Sequence, residues 1–203
     1  MIVITGGAGF IGSNLLKALN DKSINDILVV DELDRFEKKF NNIENMRFVD
    51  CIDKNIFLNE LKSESAKYKN IERIFHLGAC SKTTEPDREY IMDTNLKYSQ
   101  ELLHYCANNN ISLIYASSAS VYGESENFGE IKDNESFLNH YAESKLLFDN
   151  YYRDNKHKIH SQVVGLRYFN VFGPMENHKE GMASVIYHFS NQLKNSKKIK
   201  LFK

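Results

Sequence analysis

Ile2–Asp31 reads IVIT-GGAGFIG-SNLLKALND-KSIND-ILVVD, and the order of residue types in this stretch decides the fold. Ile2, Val3 and Ile4 form a short β-branched apolar run, too brief for a helix, which predicts a buried strand. Gly6, Gly9 and Gly12 follow at a spacing of three, and Gly7, Gly9 and Gly12 also satisfy G-x-G-x-x-G. Glycine at such positions permits a tight strand-to-helix turn, lets the backbone approach a pyrophosphate, and lets the helix pack close to the sheet. Ser13–Asn20 predicts a helix whose N-terminal amides and dipole would face the phosphates. Ile27–Val30 predicts a second strand ending at Asp31, and an acid about 20 residues past the glycines is placed to take a ribose hydroxyl. A glycine motif alone is weak. With both strands and the acid in place it predicts a dinucleotide site.

Working outward, strands and helices alternate. Strands are predicted at Met46–Val49, Ile71–Phe75, Ile111–Ala116 (broken at Ser117), Gln162–Arg167 and Lys198–Phe202. Helices are predicted at Asn55–Ala66, Arg88–Asn109, Tyr141–Asp154 and Ala183–Lys194. Arg35–Asn45 is polar and reads as a loop, and Pro86 and Pro174 both fall in connections. Regular alternation of this kind implies an α/β fold, a doubly wound parallel sheet of the Rossmann type. The expected division is a dinucleotide-binding domain over residues 1–169 and the start of a smaller, truncated C-terminal substrate domain over 170–203. The expectation of truncation comes from the last strand, which reads as needing a partner.

The chain of 203 residues is long enough for a full core, and 42% hydrophobic with 26% charged residues is ordinary for a globular protein. A net charge of -1 gives no electrostatic reason to expect nucleic acid or an anionic membrane as partner. No apolar run approaches the roughly 20 residues of a membrane span. Cys51, Cys80 and Cys106 form neither a disulfide framework nor a zinc pattern, which fits a reducing cytoplasm. His104, His157, His160 and His178 lack ligand spacing, so no metal is expected.

Tyr141 and Lys145 form Y-x-x-x-K, a spacing that places both on one helical face. A tyrosine titrates near pH ~10, and an adjacent ammonium favours its phenolate. Ser117 and Ser118 lie just past the fifth strand, and ligands of doubly wound sheets bind outside the carboxyl ends of the strands. Serine, tyrosine and lysine are therefore expected at the edge that also carries the glycine turn.

GGAGFIG, SSASVYG and YAESK, in this order, resemble the extended short-chain dehydrogenase/reductase family, mostly nucleotide-sugar epimerases, dehydratases and decarboxylases. HLGACSKTTE (76–85), ELLHYC (101–106) and RYFNVFGPMENHKEGMASV (167–185) are similar to the ADP-L-glycero-D-manno-heptose 6-epimerase branch of that family, and the similarity runs along the whole chain. The resemblance implies oxidation at carbon six of an ADP-heptose by held NADP, reorientation of the ketone, and return of hydride to its other face. Tyr141 and Lys179 match the two acid/base groups and Ser118 the donor to the reacting oxygen. Lys145 matches the residue that holds the nicotinamide ribose. For the cofactor the resemblance implies Gly6, Gly9, Phe10, Ile11, Gly12, Asp31, Glu32, Lys39, Lys54, Leu77, Gly78, Ala79, Cys80, Ser81, Thr94, Asn95 and Val171, with Lys145 and Lys179. For the sugar nucleotide it implies Ser118, Asn170, Gly181 and His188. Leu77 stands where the family usually has Glu, Thr94 where it has Asn, and Glu32 where it often has Asn. A carboxylate at Asp31 favours NAD over NADP by charge, so the expected NADP preference relies on nearby lysines. Oligomers are usual in the family and are expected of a full-length form.

Two rivals remain. One is an epimerase or dehydratase for a UDP- or dTDP-hexose, although Ser117-Ser118-Ala119 lacks the acids that drive water loss. The other is a dinucleotide-binding regulator without turnover, a class that can lose the tyrosine or the lysine, both of which this chain keeps.

Overall fold

The computed structural model describes residues 1–35, 37–63 and 65–201. Six parallel strands form one sheet in the order β3-β2-β1-β4-β5-β6. They are β1 (Ile2–Thr5), β2 (Ile27–Asp31), β3 (Asp50–Asp53), β4 (Arg73–His76), β5 (Ser112–Ser118) and β6 (Val163–Tyr168). The helices are α1 (Phe10–Asp21), α2 (Glu37–Phe40), α3 (Lys54–Lys62), α4 (Arg88–Ile91), α5 (Tyr98–Asn108), α6 (His140–Asn155) and α7 (Val185–Ser196). This is the doubly wound Rossmann-type architecture that the alternation predicts.

The strand pleat sorts the core into two faces. Val3, Leu28, Val30, Ile74, Leu113 and Tyr115 point to one side, where Phe57 and Leu61 of α3, Leu102, Leu103 and Cys106 of α5, and Phe148 of α6 cover them. Ile4, Ile27 and Val29 point to the other side and pack with Leu16 of α1 and with Ile43. Strand order reverses between β1 and β4, so the carboxyl ends of those strands open a crevice there, where α/β sheets bind ligands.

Several predicted bounds move, each for a physical reason. The third strand lies at Asp50–Asp53 rather than Met46–Val49, in register with Leu28–Asp31. Met46 and Phe48 instead pack beneath the α1 face as hydrophobic wedges. The fifth strand continues through Ser117 and Ser118, which pair with Arg167 and Tyr168 of β6. Polar residues can extend this strand because the Ser117 hydroxyl donates to buried Asp149 at 2.8 Å. The polar stretch Arg35–Asn45 holds α2 and a fully buried Ile43. The long helix predicted from Arg88 is built as α4, a π-helical stretch over Met92–Lys97, and α5. The strand expected at Lys198–Phe202 is absent over residues 198–201, where the Lys200 amide donates back to Gln192 at 2.8 Å; Phe202 lies outside the described residues. No helix among the described residues is long and apolar enough to cross a membrane.

Candidate active site

The turn between β1 and α1 is closed by Gly9 N–H donating to Gly6 O at 3.0 Å. Gly6 has φ +67°, and a Cβ there would stand 2.7 Å from the Gly78 backbone. A Cβ on Gly12 would stand 2.1 Å from Gly6 O. Both glycines are therefore demanded by backbone approach. Gly9 caps α1 without a side-chain hydrogen bond, which leaves the first-turn amides facing the crevice. Below the turn, His76 is wedged between Thr5 Oγ1 and Ser99 Oγ, each at 2.7 Å, and Thr5 Oγ1 accepts from Gly78 N at 3.2 Å. Complete burial, and then the charge of Lys145, push the His76 pKa down to about 3, so the ring is neutral.

At the far end of the crevice Asp31 is buried. One carboxylate oxygen accepts from Ala8 N at 3.0 Å, and the other from Glu32 N at 2.8 Å and Lys39 Nζ at 2.9 Å. Lys54 Nζ lies 3.1 Å from Glu32. Two carboxylates and two ammonium groups thus face each other at this end of the crevice.

The chemistry end is built by α6 against β5. Asn139 caps α6 through Ala142 N at 2.9 Å, which starts the helix at His140 and puts Tyr141 in its first turn. Lys145, one turn on, is buried and donates to Ala116 O at 2.8 Å. Its Nζ sits 5.9 Å from the Tyr141 ring centroid. Desolvation lowers the Lys145 pKa to about 8 against the opposing pull of Asp149. Tyr141 departs from the expectation of an acidified phenol. Burial raises its pKa, and the hydrogen bond with Ser118 works the other way without winning. The field of Lys145 at this distance does not overcome desolvation of the phenolate.

Lys179 reaches the same crevice on a connection folded across its open side. Asn14 Nδ2 donates to Pro174 O at 3.0 Å, Asn42 Nδ2 lies 3.1 Å from His178 Nδ1, and Lys38 pairs with Glu180 at 2.6 Å. Glu176 is buried and ties the base of the connection, accepting from Ser184 N at 2.6 Å and Gly173 N at 3.2 Å. Lys179 Nζ stands 5.7 Å from the Phe10 ring centroid.

These parts surround one cleft of about 1070 Å³. It is lined by Gly6, Gly9, Phe10, Ile11 and Gly12 from the turn, and by Asp31, Glu32, Lys39 and Lys54 at its far end. Leu77, Gly78, Ala79, Cys80, Ser81 and Thr94 line its middle, with Ser118, Tyr141, Lys145, Asn170, Val171 and Lys179 at the chemistry end. Three residues named from the resemblance do not line it. Asn95 is buried behind the wall, where its amide brackets the Cys80 backbone at 2.8 and 3.0 Å and reaches Ser144 at 3.1 Å. Gly181 faces open space, and His188 sits on α7 with its ring against Tyr187. Sequence reading passed over Asp149, although its place four residues after Lys145 is the same helical signal that paired Tyr141 with Lys145. It also passed over Glu135, Arg153 and Arg167, whose meeting depends on three distant segments and leaves no local pattern.

A parallel dinucleotide-type sheet with Ser, Tyr and Lys at its carboxyl edge defines a class, and the chain belongs to the NAD dependent epimerase/dehydratase family, which it matches over residues 2–203. Among solved structures it is similar to the ADP-L-glycero-D-manno-heptose-6-epimerase of Helicobacter pylori, at 32% identity and a TM-score of 0.85, over 100% of this chain and 65% of that one. It is also similar to the UDP-N-acetylglucosamine 4-epimerase of Methanobrevibacter ruminantium, at 32% identity and a TM-score of 0.76, over 96% of this chain and 62% of that one. The UDP-glucuronic acid 4-epimerase of Bacillus cereus, solved in complex with NAD, is 26% identical with a TM-score of 0.76, over 95% of this chain and 63% of that one. The chain thus spans less than two thirds of the length of each of these relatives.

Proposed function

We propose that the chain is the cofactor-binding and catalytic part of an epimerase that inverts carbon six of the heptose in ADP-D-glycero-D-manno-heptose, using NADP in preference to NAD. The observation that carries this reading is one cleft that holds a glycine turn fit for a pyrophosphate at its floor and Tyr141, Lys145, Ser118 and Lys179 at its chemistry end. The heptose assignment rests on the motif HLGACSKTTE, on the segment that carries Lys179, and on the likeness to the Helicobacter pylori enzyme. The expected division into residues 1–169 for the dinucleotide and 170–203 as the start of a substrate domain belongs to the same proposal. So do a homo-oligomeric full-length form, a cytoplasmic site of action, and a product destined for lipopolysaccharide core or a related heptose-containing glycan.

The glycine cradle fits the dinucleotide: a Cβ at Gly6 would meet the Gly78 backbone and one at Gly12 the Gly6 carbonyl oxygen, so only glycine lets the turn close tightly beside the free first-turn amides of α1. The glycine turn and Lys145 would hold the dinucleotide, whose nicotinamide would supply hydride acceptance from the sugar carbon and hydride return to the opposite face of the ketone. The remaining steps belong to the chain. Tyr141 Oη takes and returns the proton of the sugar hydroxyl, while Ser118 Oγ holds that oxygen. Burial keeps Tyr141 a phenol at neutral pH, so its service as a base calls for a cation close by, and Lys145 is the cation on its own helix face. Lys179 Nζ serves the second orientation of the sugar. At the ribose end, Lys39 cancels the Asp31 charge that would otherwise repel a 2′-phosphate.

A UDP-sugar epimerase is the second reading, favoured by 32% identity to the Methanobrevibacter enzyme. Proton NMR of the full-length form with NADP and each of ADP-heptose, UDP-glucose and UDP-N-acetylglucosamine separates the two. Conversion of ADP-D-glycero-D-manno-heptose is the expected outcome. Turnover of a UDP-sugar alone overturns the substrate assignment, and no exchange with any of them overturns catalysis.

A further inference from the structure

Asp149 is buried behind the cleft wall, and the reaction just described does not use it. It lies one helical turn beyond Lys145, so Tyr141, Lys145 and Asp149 form a column down one face of α6. Each meets β5: Tyr141 bonds to Ser118, Lys145 to Ala116 O, and Asp149 to the hydroxyls of Ser117 at 2.8 Å and Tyr115 at 2.9 Å. All of the Asp149 partners are donors. Its Oδ1 accepts from Tyr115, and its Oδ2 from Ser117 and from Arg167 Nη2 at 3.3 Å. A carboxylate in this place is buried among hydrogen bonds and cations, as a charged group must be to stay charged.

The neighbouring charges show what that carboxylate answers. Glu135 is already engaged, since Arg153 bonds to both of its oxygens at 2.5 and 2.6 Å and Arg167 bonds to one of them. Lys145 has Tyr141 on its own helix, neutral His76 on β4, the Ala116 carbonyl on β5, and Asp149 within electrostatic reach. Among these described residues Asp149 is the only carboxylate. We propose that Asp149 is a positioning residue that holds Lys145 in its charged form and fixes the carboxyl end of β5, so that the Ser118–Tyr141–Lys145 set is ready when substrate arrives. The inference rests on the proposed hydride-transfer reading for its purpose, but its physical content is a charge coupling that exists without substrate.

Desolvation alone draws Lys145 toward neutrality, and Asp149 opposes it. Removing the carboxylate charge therefore moves the Lys145 titration further down. Asp149→Asn keeps the shape, and the hydroxyls of Tyr115 and Ser117 can rotate to suit an amide. Asp149→Ser, a second variant, leaves room for a water in place of the carboxylate. With ¹³Cε-labelled lysine, and with Lys145→Met identifying the resonance, NMR follows the Lys145 midpoint directly. The expected result is a fall of about one pH unit or more in either folded variant. The alkaline limb of turnover should move down with it, whereas a merely structural role would lower turnover at every pH and leave both midpoints in place. A Lys145 midpoint unchanged in a folded variant overturns the proposal. A shifted midpoint in a protein that epimerises nothing overturns the catalytic reading and leaves the coupling standing.

Discussion

At the scale of single residues, two predictions follow from the cleft. Tyr141→Phe and Lys179→Met should each lower turnover ~10²–10⁴-fold, the usual cost of losing an acid/base group, while NADP stays bound. Each variant should retain a half-reaction with one stereoisomer; Lys179→Met turning over at the wild-type rate would make Lys179 only a loop charge. The ribose end should prefer NADP to NAD about tenfold, ~1.4 kcal/mol. Lys39→Met should erase or reverse that preference, because Asp31 then meets the 2′-phosphate without its 2.9 Å counter-ion. Calorimetry with both cofactors reads it, and equal preference before and after substitution would remove Lys39 from the argument. Tyr141, Lys145 and Ser118 were legible because helix periodicity and the end of an apolar strand fix where they point. The saturation of Asp31 was not legible. Its partners Ala8 and Lys39 come from the glycine turn and from α2, whose approach no local spacing encodes.

At the scale of elements, the β1–turn–α1–β2 unit was readable because apolar strands, glycine spacing and acid all agree on one geometry. The errors fell on edges. In the third strand, Met46 and Phe48 look like strand residues but pack beneath the sheet, and the paired backbone begins at Asp50. In the fifth, two serines looked like a break, yet side-chain partners on α6 and backbone partners on β6 carry the strand through them. The glycine turn allows a sharp element-level test. Gly12→Ala puts a methyl group 2.1 Å from Gly6 O, so the turn must shift. A loss of about 1–3 kcal/mol and weakened cofactor binding are expected. Gly181→Ala meets nothing within 4 Å and should change stability by less than about 0.5 kcal/mol. Urea midpoints of the two variants give the comparison, and similar losses in both would mean that close approach is not what the Gly12 position requires.

At the scale of the whole molecule, His76 joins β1 through Thr5, its own strand β4, and α5 through Ser99, so its protonation bears on the centre of the fold. Its folded pKa of about 3 lies far below the 6.5 of an exposed ring. Between those values the unfolded chain binds a proton that the native protein refuses, so stability is complete above pH ~6.5 and falls as pH drops through the window. The slope for one such group is about 1.4 kcal/mol per pH unit. Glu135, Glu143 and Glu176 also have lowered pKa values, and they too cost stability in acid, but from the ordinary glutamate value of 4.5 downward. The interval from pH 6.5 to 4.5 is thus left mainly to histidine. His178 shares it, with burial as the leading cause of its lowered pKa. Comparison with His76→Asn isolates the ring of interest: the variant should be less stable at pH 7.5, because the two serine and threonine contacts are compromised, yet lose less stability than wild type on going to pH 5. Urea denaturation at half-unit steps measures both slopes. Parallel curves for the two proteins would mean that His76 does not set the acid sensitivity of the fold.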